Sequence, residues 1–310
     1  MAPPTLTSIV ETRDRLVDIG DLDLRRNLKI RAFLHLVLAP VFRDMQPKLR
    51  YGEMGRRGIT PMQYYQDFRN YPAPLGYGNH VQGRYEVRLC RSVSTERRGG
   101  GTESQRVERL ILETAATLTG HPATALPESM GFEPSLGPPV TAGTGRVLHV
   151  LTRPQNPPGQ RWVDEVPEEI GFLSVHPFDG PFPSIALLRE VEDGFAEVTE
   201  AATGLTGIWG LANSDVFQHV HAREYAMAME NGIALALAAA KLPLDRHDAI
   251  RARVVFRRPS FIGQRYLLRI RLFRREAETV ALGAFHGADD GAIADDARAS
   301  VFLRFEGRLA

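Results

Sequence analysis

Apolar residues recur along this chain at two spacings, and the switch between them marks the elements. Over 21–45, Leu24, Leu28, Ile30, Phe33, Leu34, Leu36, Val37, Leu38, Val41 and Phe42 follow a helical spacing with a broad apolar face, broken at Pro40. Residues 58–70 predict a short helix that Thr60 caps and Pro61 opens. From residue 80 the period shortens to two. Strands are expected at 80–93, 106–118 and 145–153, where apolar residues alternate with Arg, Glu or Thr. Residues 95–106 read as a polar, Gly-rich hairpin tip, and 121–144 as a Pro- and Gly-rich excursion. A second Pro-rich stretch, 153–184, separates the halves.

The last third is more regular. Residues 194–211 predict one or two strands, 219–241 an Ala-rich helix, and 249–257, 264–274, 278–286 and 297–307 four further strands. From Ile233 to Ala240 the helix is apolar on every side, which predicts burial in a core. The class is α+β, but many folds share this order of elements.

The entry to that helix carries the candidate chemistry. Residues 213–225 read Asn-Ser-Asp-Val-Phe-Gln-His-Val-His-Ala-Arg-Glu-Tyr. A carboxylate just before a helix lies near free backbone N–H groups, which polarise a carbonyl and stabilise an oxyanion. The segment resembles the signature of the hot-dog thioesterases of the 4-hydroxybenzoyl-CoA type: Asp, two residues, Gly-His, an apolar residue, Asn-Asn, two residues and Tyr. Asp215, His219, Val220 and Tyr225 match it, whereas Gln218 replaces the Gly and His221-Ala222 replace the Asn pair. The stretch Val255 to Gln264 resembles the strand-turn-strand that follows the helix in that family, and the resemblance spans about 196–310.

The resemblance implies an antiparallel sheet wrapped around a long helix. It also implies an enzyme acting on acyl-CoA or acyl-carrier-protein thioesters, with Asp215 as nucleophile or base and His219 and His221 as further catalytic candidates. Gln218, Tyr225 and Arg258 are substrate-binding candidates. A single unit of this kind is far shorter than 310 residues, so a double hot-dog is expected, with a degenerate amino-terminal unit at 1–165 and a motif-bearing unit at 166–310. His80-Val-Gln-Gly-Arg-Tyr loosely parallels Gly263-Gln-Arg-Tyr, and 50–70 followed by strands repeats the order of helix then sheet. In that arrangement Tyr64, Tyr65 and Arg69 line the shared interface.

Plainer readings stand beside these. Asp215 is a favoured helix cap, His219 and His221 suit satisfied, half-buried histidines, and Glu230 suits a structural carboxylate. A rival reading takes His176-Pro-Phe-Asp-Gly180 and Asp215-Val-Phe-Gln-His219 as dehydratase motifs acting on a carrier-bound polyketide, although Ile185 stands where that pattern needs Pro. A third keeps the scaffold as a non-catalytic acyl-binding subunit.

Composition narrows the field further. The net charge is +1, which draws the chain toward neither nucleic acid nor membrane. Its cations are almost all arginine, the only lysines being Lys29, Lys48 and Lys241. A GC-rich genome explains that bias, and so does recognition of the phosphates of coenzyme A or a phosphopantetheine arm. The single Cys90, on a predicted strand, excludes an intramolecular disulfide and a Cys-rich zinc site. No leader, membrane span, phosphate loop or dinucleotide fingerprint is visible. The expectation is therefore a cytoplasmic protein without cofactor or metal, monomeric or homodimeric.

Overall fold

The computed structural model describes residues 6–17, 21, 28–33, 36, 43, 45–71, 75, 80–97, 104–122, 137–157, 160–199, 204–214, 219–244, 247–287 and 295–309. Asp215 and Gln218 lie outside them, as does most of the predicted helix at 21–45. In chain order the elements are β1 (Ile9–Leu16), α1 (Ile30–Phe33), α2 (Tyr51–Arg56), β2 (Thr60–Asn70), β3 (His80–Arg97), β4 (Ser104–Gly120) and β5 (Val140–Thr152). Then come β6 (Val175–Pro177), α3 (Ile185–Arg189), β7 (Ala196–Glu197), β8 (Gly204–Ile208), α4 (Ala222–Ala239), β9 (His247–Phe256), β10 (Arg265–Arg275), β11 (Glu278–Gly287) and β12 (Val301–Leu309).

Among the described residues, twelve strands join one sheet in the order β1-β3-β4-β5-β2-β9-β12-β11-β10-β7, with β6 on β3 and β8 on β10. The layout occurs twice: β1-β3-β4-β5-β2 in the first half and β8-β10-β11-β12-β9 in the second. The halves meet where β2 and β9 pair antiparallel, from Tyr65 opposite Val255 to Arg69 opposite Arg251.

Residues 60–70 are therefore a strand, not the predicted helix. Pairing on both edges, with β5 and with β9, overrides the local Thr60-Pro61 capping signal. Pro61 lies at the strand's start, outside the β9 pairing, where the missing N–H is tolerated. The helix of the first half comes earlier, in place of the 50–70 segment: α1 packs against α4, β2 and β9.

One face of the sheet carries the larger core, where Phe33, Phe68, Met229, Ile233 and Ile270 pack around α4. The helix seats closely because a glycine stands on each side of the contact, Gly232 on the helix and Gly283 on the sheet. A Cβ on Gly232 would come within 1.8 Å of Ile270 Cδ1, and one on Gly283 within 2.3 Å of Met229 Sδ. The helix is not buried all round as its composition predicted. Leu235 is 51% exposed, so α4 is a face-down helix whose Ala-rich outer side meets solvent.

The opposite face carries a second core under the Pro-rich segment that links the halves. Phe178, Phe182, Ile185, Leu188 and Phe195 cover Ile111, Leu148, Val255 and Phe302. Arginines fasten this strap through their faces. The Arg109 guanidinium lies 4.8 Å from the Trp162 ring and 4.7 Å from Phe182, and Arg146 lies 4.9 Å from Phe178. Cys90 also lies on this side, buried in β3 and donating to Glu113 (3.3 Å); burial pushes its thiol up to about 12. Among the described residues no helix is long and apolar enough to cross a membrane.

Candidate active site

The described residues of the motif are held at the start of α4. His221 is the helix cap: its Nδ1 accepts the Arg223 N–H (3.2 Å), which places the ring proton on Nε2. Ser214 and Val220 form a bridge. His219 bridges to Phe261, its ring edge-on at 5.1 Å, and the Val220 N–H donates to the Ser260 carbonyl (2.9 Å).

Two residues of the segment that the signature does not specify, Asn213 and Glu224, hold the clamp. Asn213 accepts the Gly210 N–H at Oδ1 (2.7 Å), accepts the His221 N–H at its carbonyl (2.8 Å) and donates Nδ2 to Glu224 Oε2 (2.8 Å). Glu224 is 6% exposed and also accepts from Arg223. Sequence reasoning missed this pair. The available signal was Glu224 at the third helical position, where a capping-box acid is expected to reach back toward the cap. Here Asn213 takes that carboxylate instead.

Aromatic rings make the floor. Trp209 stacks on Tyr266 (4.2 Å) and meets Tyr225 edge-on (5.1 Å), and Tyr225 also packs against Phe285 and Phe256. The turn Phe261–Gln264 is held by Trp209, whose N–H donates to the Gln264 carbonyl (3.0 Å) and whose carbonyl accepts the Gly263 N–H (2.8 Å). Gly263 has φ +81°, the left-handed conformation that favours glycine at this turn position.

The sequence candidates divide. His219, His221 and Tyr225 come together around the start of α4, whereas the Arg258 N–H donates to the Ser300 carbonyl (3.2 Å). Tyr225 is buried, and its hydroxyl accepts the Ser260 N–H (3.2 Å), so it pins the turn to the helix. Arg258 is exposed on the segment leading into that turn. Tyr64 and Tyr65 are not brought to α4. Tyr64 stacks on Phe182 (4.8 Å) and donates to the Pro183 carbonyl (3.1 Å), while Tyr65 packs in the second core. A bulge at Tyr64 sets this side-chain alternation. His176 also goes elsewhere: β6 lies on β3, and the imidazole meets the Thr7 carbonyl (2.9 Å). Glu230 faces Arg31 (3.9 Å), a contact between the halves; burial pushes its carboxyl up despite that cation.

No family model matches the chain, and no curated protein matches it in sequence. Solved structures do match over its full length. The oleoyl thioesterase (putative) of Lactobacillus plantarum aligns with a TM-score of 0.64 at 10% identity, covering 97% of each chain. An acyl-ACP thioesterase from Bacteroides thetaiotaomicron gives 0.57 at 10% identity, covering 97% of this chain and 98% of that one. The 12:0-ACP thioesterase from Umbellularia californica gives 0.56 at 13% identity with the same coverage. At these identities the likeness is one of fold, and it agrees with the doubled strand order and the β2–β9 joint: the chain is a double hot-dog.

Proposed function

We propose that the protein hydrolyses acyl thioesters, with acyl carrier protein as the preferred acyl donor and coenzyme A thioesters as the alternative. The observation that carries this reading is the pair of bridges, Ser214–Val220 and His219–Phe261, at the start of an eighteen-residue helix; their residues Ser214 and His219 flank Asp215 in the sequence. In the proposed reaction Asp215 takes a proton from water as it adds to the thioester carbonyl. Backbone N–H groups near Gln218 and His219 hold the oxyanion, worth roughly 3–4 kcal/mol per donor. The C–S bond then breaks and the carrier thiolate takes up the proton, leaving a free acid and a thiol. Alternatively, Asp215 attacks directly and water hydrolyses the resulting anhydride. The full-length neighbours whose names include acyl-ACP favour the carrier protein over coenzyme A. The division into units at 1–165 and 166–310 belongs to this reading, with the boundary inside the strap.

The test is release of free thiol from acyl-carrier and acyl-CoA thioesters. Asp215→Asn is expected to lower kcat by about 10²-fold or more, with an unchanged melting temperature. Undiminished hydrolysis by that variant would remove Asp215 from the chemistry. Loss of water from a β-hydroxyacyl thioester without thiol release would replace hydrolysis by dehydration.

A further inference from the structure

Polar side chains stand in the first half where the strand pattern calls for apolar ones. Gln66 is 0% exposed on the helix-covered face of β2, in register with Val147 of β5 and Val254 of β9. Neither its Nε2 nor its Oε1 meets a hydrogen-bonding partner among the described residues. Past the bulge at Tyr64, Gln63 pairs with His149, which pairs with Leu112, so all three point to that same face. Gln63 Nε2 is likewise buried with no partner among the described residues. His149 is 1% exposed, and burial pushes its pKa down to about 4.

Neighbouring strands lie about 5 Å apart and same-face residues about 7 Å apart along a strand, so one small group can reach these side chains together. A buried amide without a partner destabilises a fold. A strand with nothing to bind here would carry valine, as the adjoining positions do. The same face of the sheet also packs against the start of α4. Phe256, two residues beyond Val254 on the same face of β9, packs on Tyr225 (6.0 Å). The Tyr225 hydroxyl accepts from Ser260, whose carbonyl accepts the Val220 N–H beside His219.

We propose that Gln63, Gln66 and His149 form the far end of the acyl pocket and bind a hydroxyl group borne by the acyl chain, so that the substrate is a hydroxyacyl thioester. A hydroxyl both accepts and donates. It can take the Gln63 Nε2–H and give its proton to Gln66 Oε1, whereas a keto oxygen only accepts and leaves Oε1 unmatched. The thioester end of this substrate rests on the hydrolase reading above; the hydroxyl end rests on the buried amides.

Two measurements test the proposal separately from that reading. The first is binding of free fatty acids and of hydroxy fatty acids of equal length, with the hydroxyl moved along the chain, read by calorimetry. The second is hydrolysis of the matching carrier thioesters. The best-placed hydroxyl should bind at least about tenfold tighter than the plain chain. Gln66→Leu should reverse that preference while raising the melting temperature. Gln63→Met and Gln66→Met are independent variants should Gln66→Leu fail to fold. Equal binding by the unaltered protein overturns the proposal, as does a preference unchanged in the glutamine variants, which would leave the amides serving a buried water only. A preference that depends on Gln66, without hydrolysis of any thioester, removes the hydrolase reading and keeps this one. Hydrolysis without preference does the reverse.

Discussion

Glu224 shows how a single residue can act through its neighbours. It is buried in the first turn of α4, and its carboxylate receives the Asn213 amide, so the chain entering the loop and the helix leaving it are one rigid piece. Glu224→Gln weakens a charge-assisted bond and should cost about 1 kcal/mol. Glu224→Ala leaves Asn213 Nδ2 without this acceptor and should cost about 2–3 kcal/mol in urea unfolding. If the pair positions Asp215 and His219, kcat should fall in Glu224→Ala with little change in KM, and Glu224→Gln should recover part of it. An undiminished kcat in Glu224→Ala, alongside lost stability, would limit the pair to a structural role. His221 belongs at the same scale, as the cap that keeps the first turn intact.

At the scale of the element, α4 lies close to the sheet because it presents no side chain at 232. Gly232→Ala would place a methyl against Ile270 Cδ1, and forcing that contact should cost about 1–3 kcal/mol. Ile270→Val shortens the opposing side chain, so the double variant should be more stable than the sum of the single losses implies. A double-mutant cycle in urea measures this coupling, and strict additivity would show that the helix adjusts elsewhere. β2 illustrates the opposite influence. Its residues carry a helix-opening signal, yet strands on both edges hold it extended.

Across the whole molecule, the joint between halves is backed by charge on the strap side. Arg251 of β9 grips Asp67 of β2 through two bonds (2.8 and 2.6 Å), and Arg304, 2% exposed, binds Glu306 (2.8 Å) and Glu192 of the strap (3.2 Å). Two histidines make the assembly acid-sensitive. Burial pushes His149 and His247 down to about 4, from an ordinary value near 6.5. The unfolded chain therefore binds their protons more readily. Their stabilisation is complete above about pH 6.5 and is lost as pH falls toward about 4, roughly 2 kcal/mol each by pH 5. Carboxylates held low, Glu197 by Arg271 and Asp296 by His286, extend the loss below that window. Urea midpoints should drop between pH 7 and pH 5, and His247→Gln should flatten that drop; an equal slope in the variant would exclude His247 as a contributor.

The local pattern by itself determined β3, β4 and β5 in the first half, β9 to β12 in the second, the presence of α4 and the spacing from Asp215 through His219 to Tyr225. Side-chain periods of two and of about 3.6 are properties of neighbouring residues, so they are written in the chain. Tertiary structure alone decided that 60–70 is a strand, since that depends on partners some 80 and 190 residues away in sequence. It decided that His221 caps the helix, that Tyr64 and Tyr65 face the strap, that Asn213 meets Glu224, and that Gln66 lies in the helix-covered core. Each of these depends on which face of the sheet a side chain joins. The Asp215–His219 segment thus carries the legible part of the candidate site, while its support and the proposed hydroxyl contact depend on residues that only folding brings together.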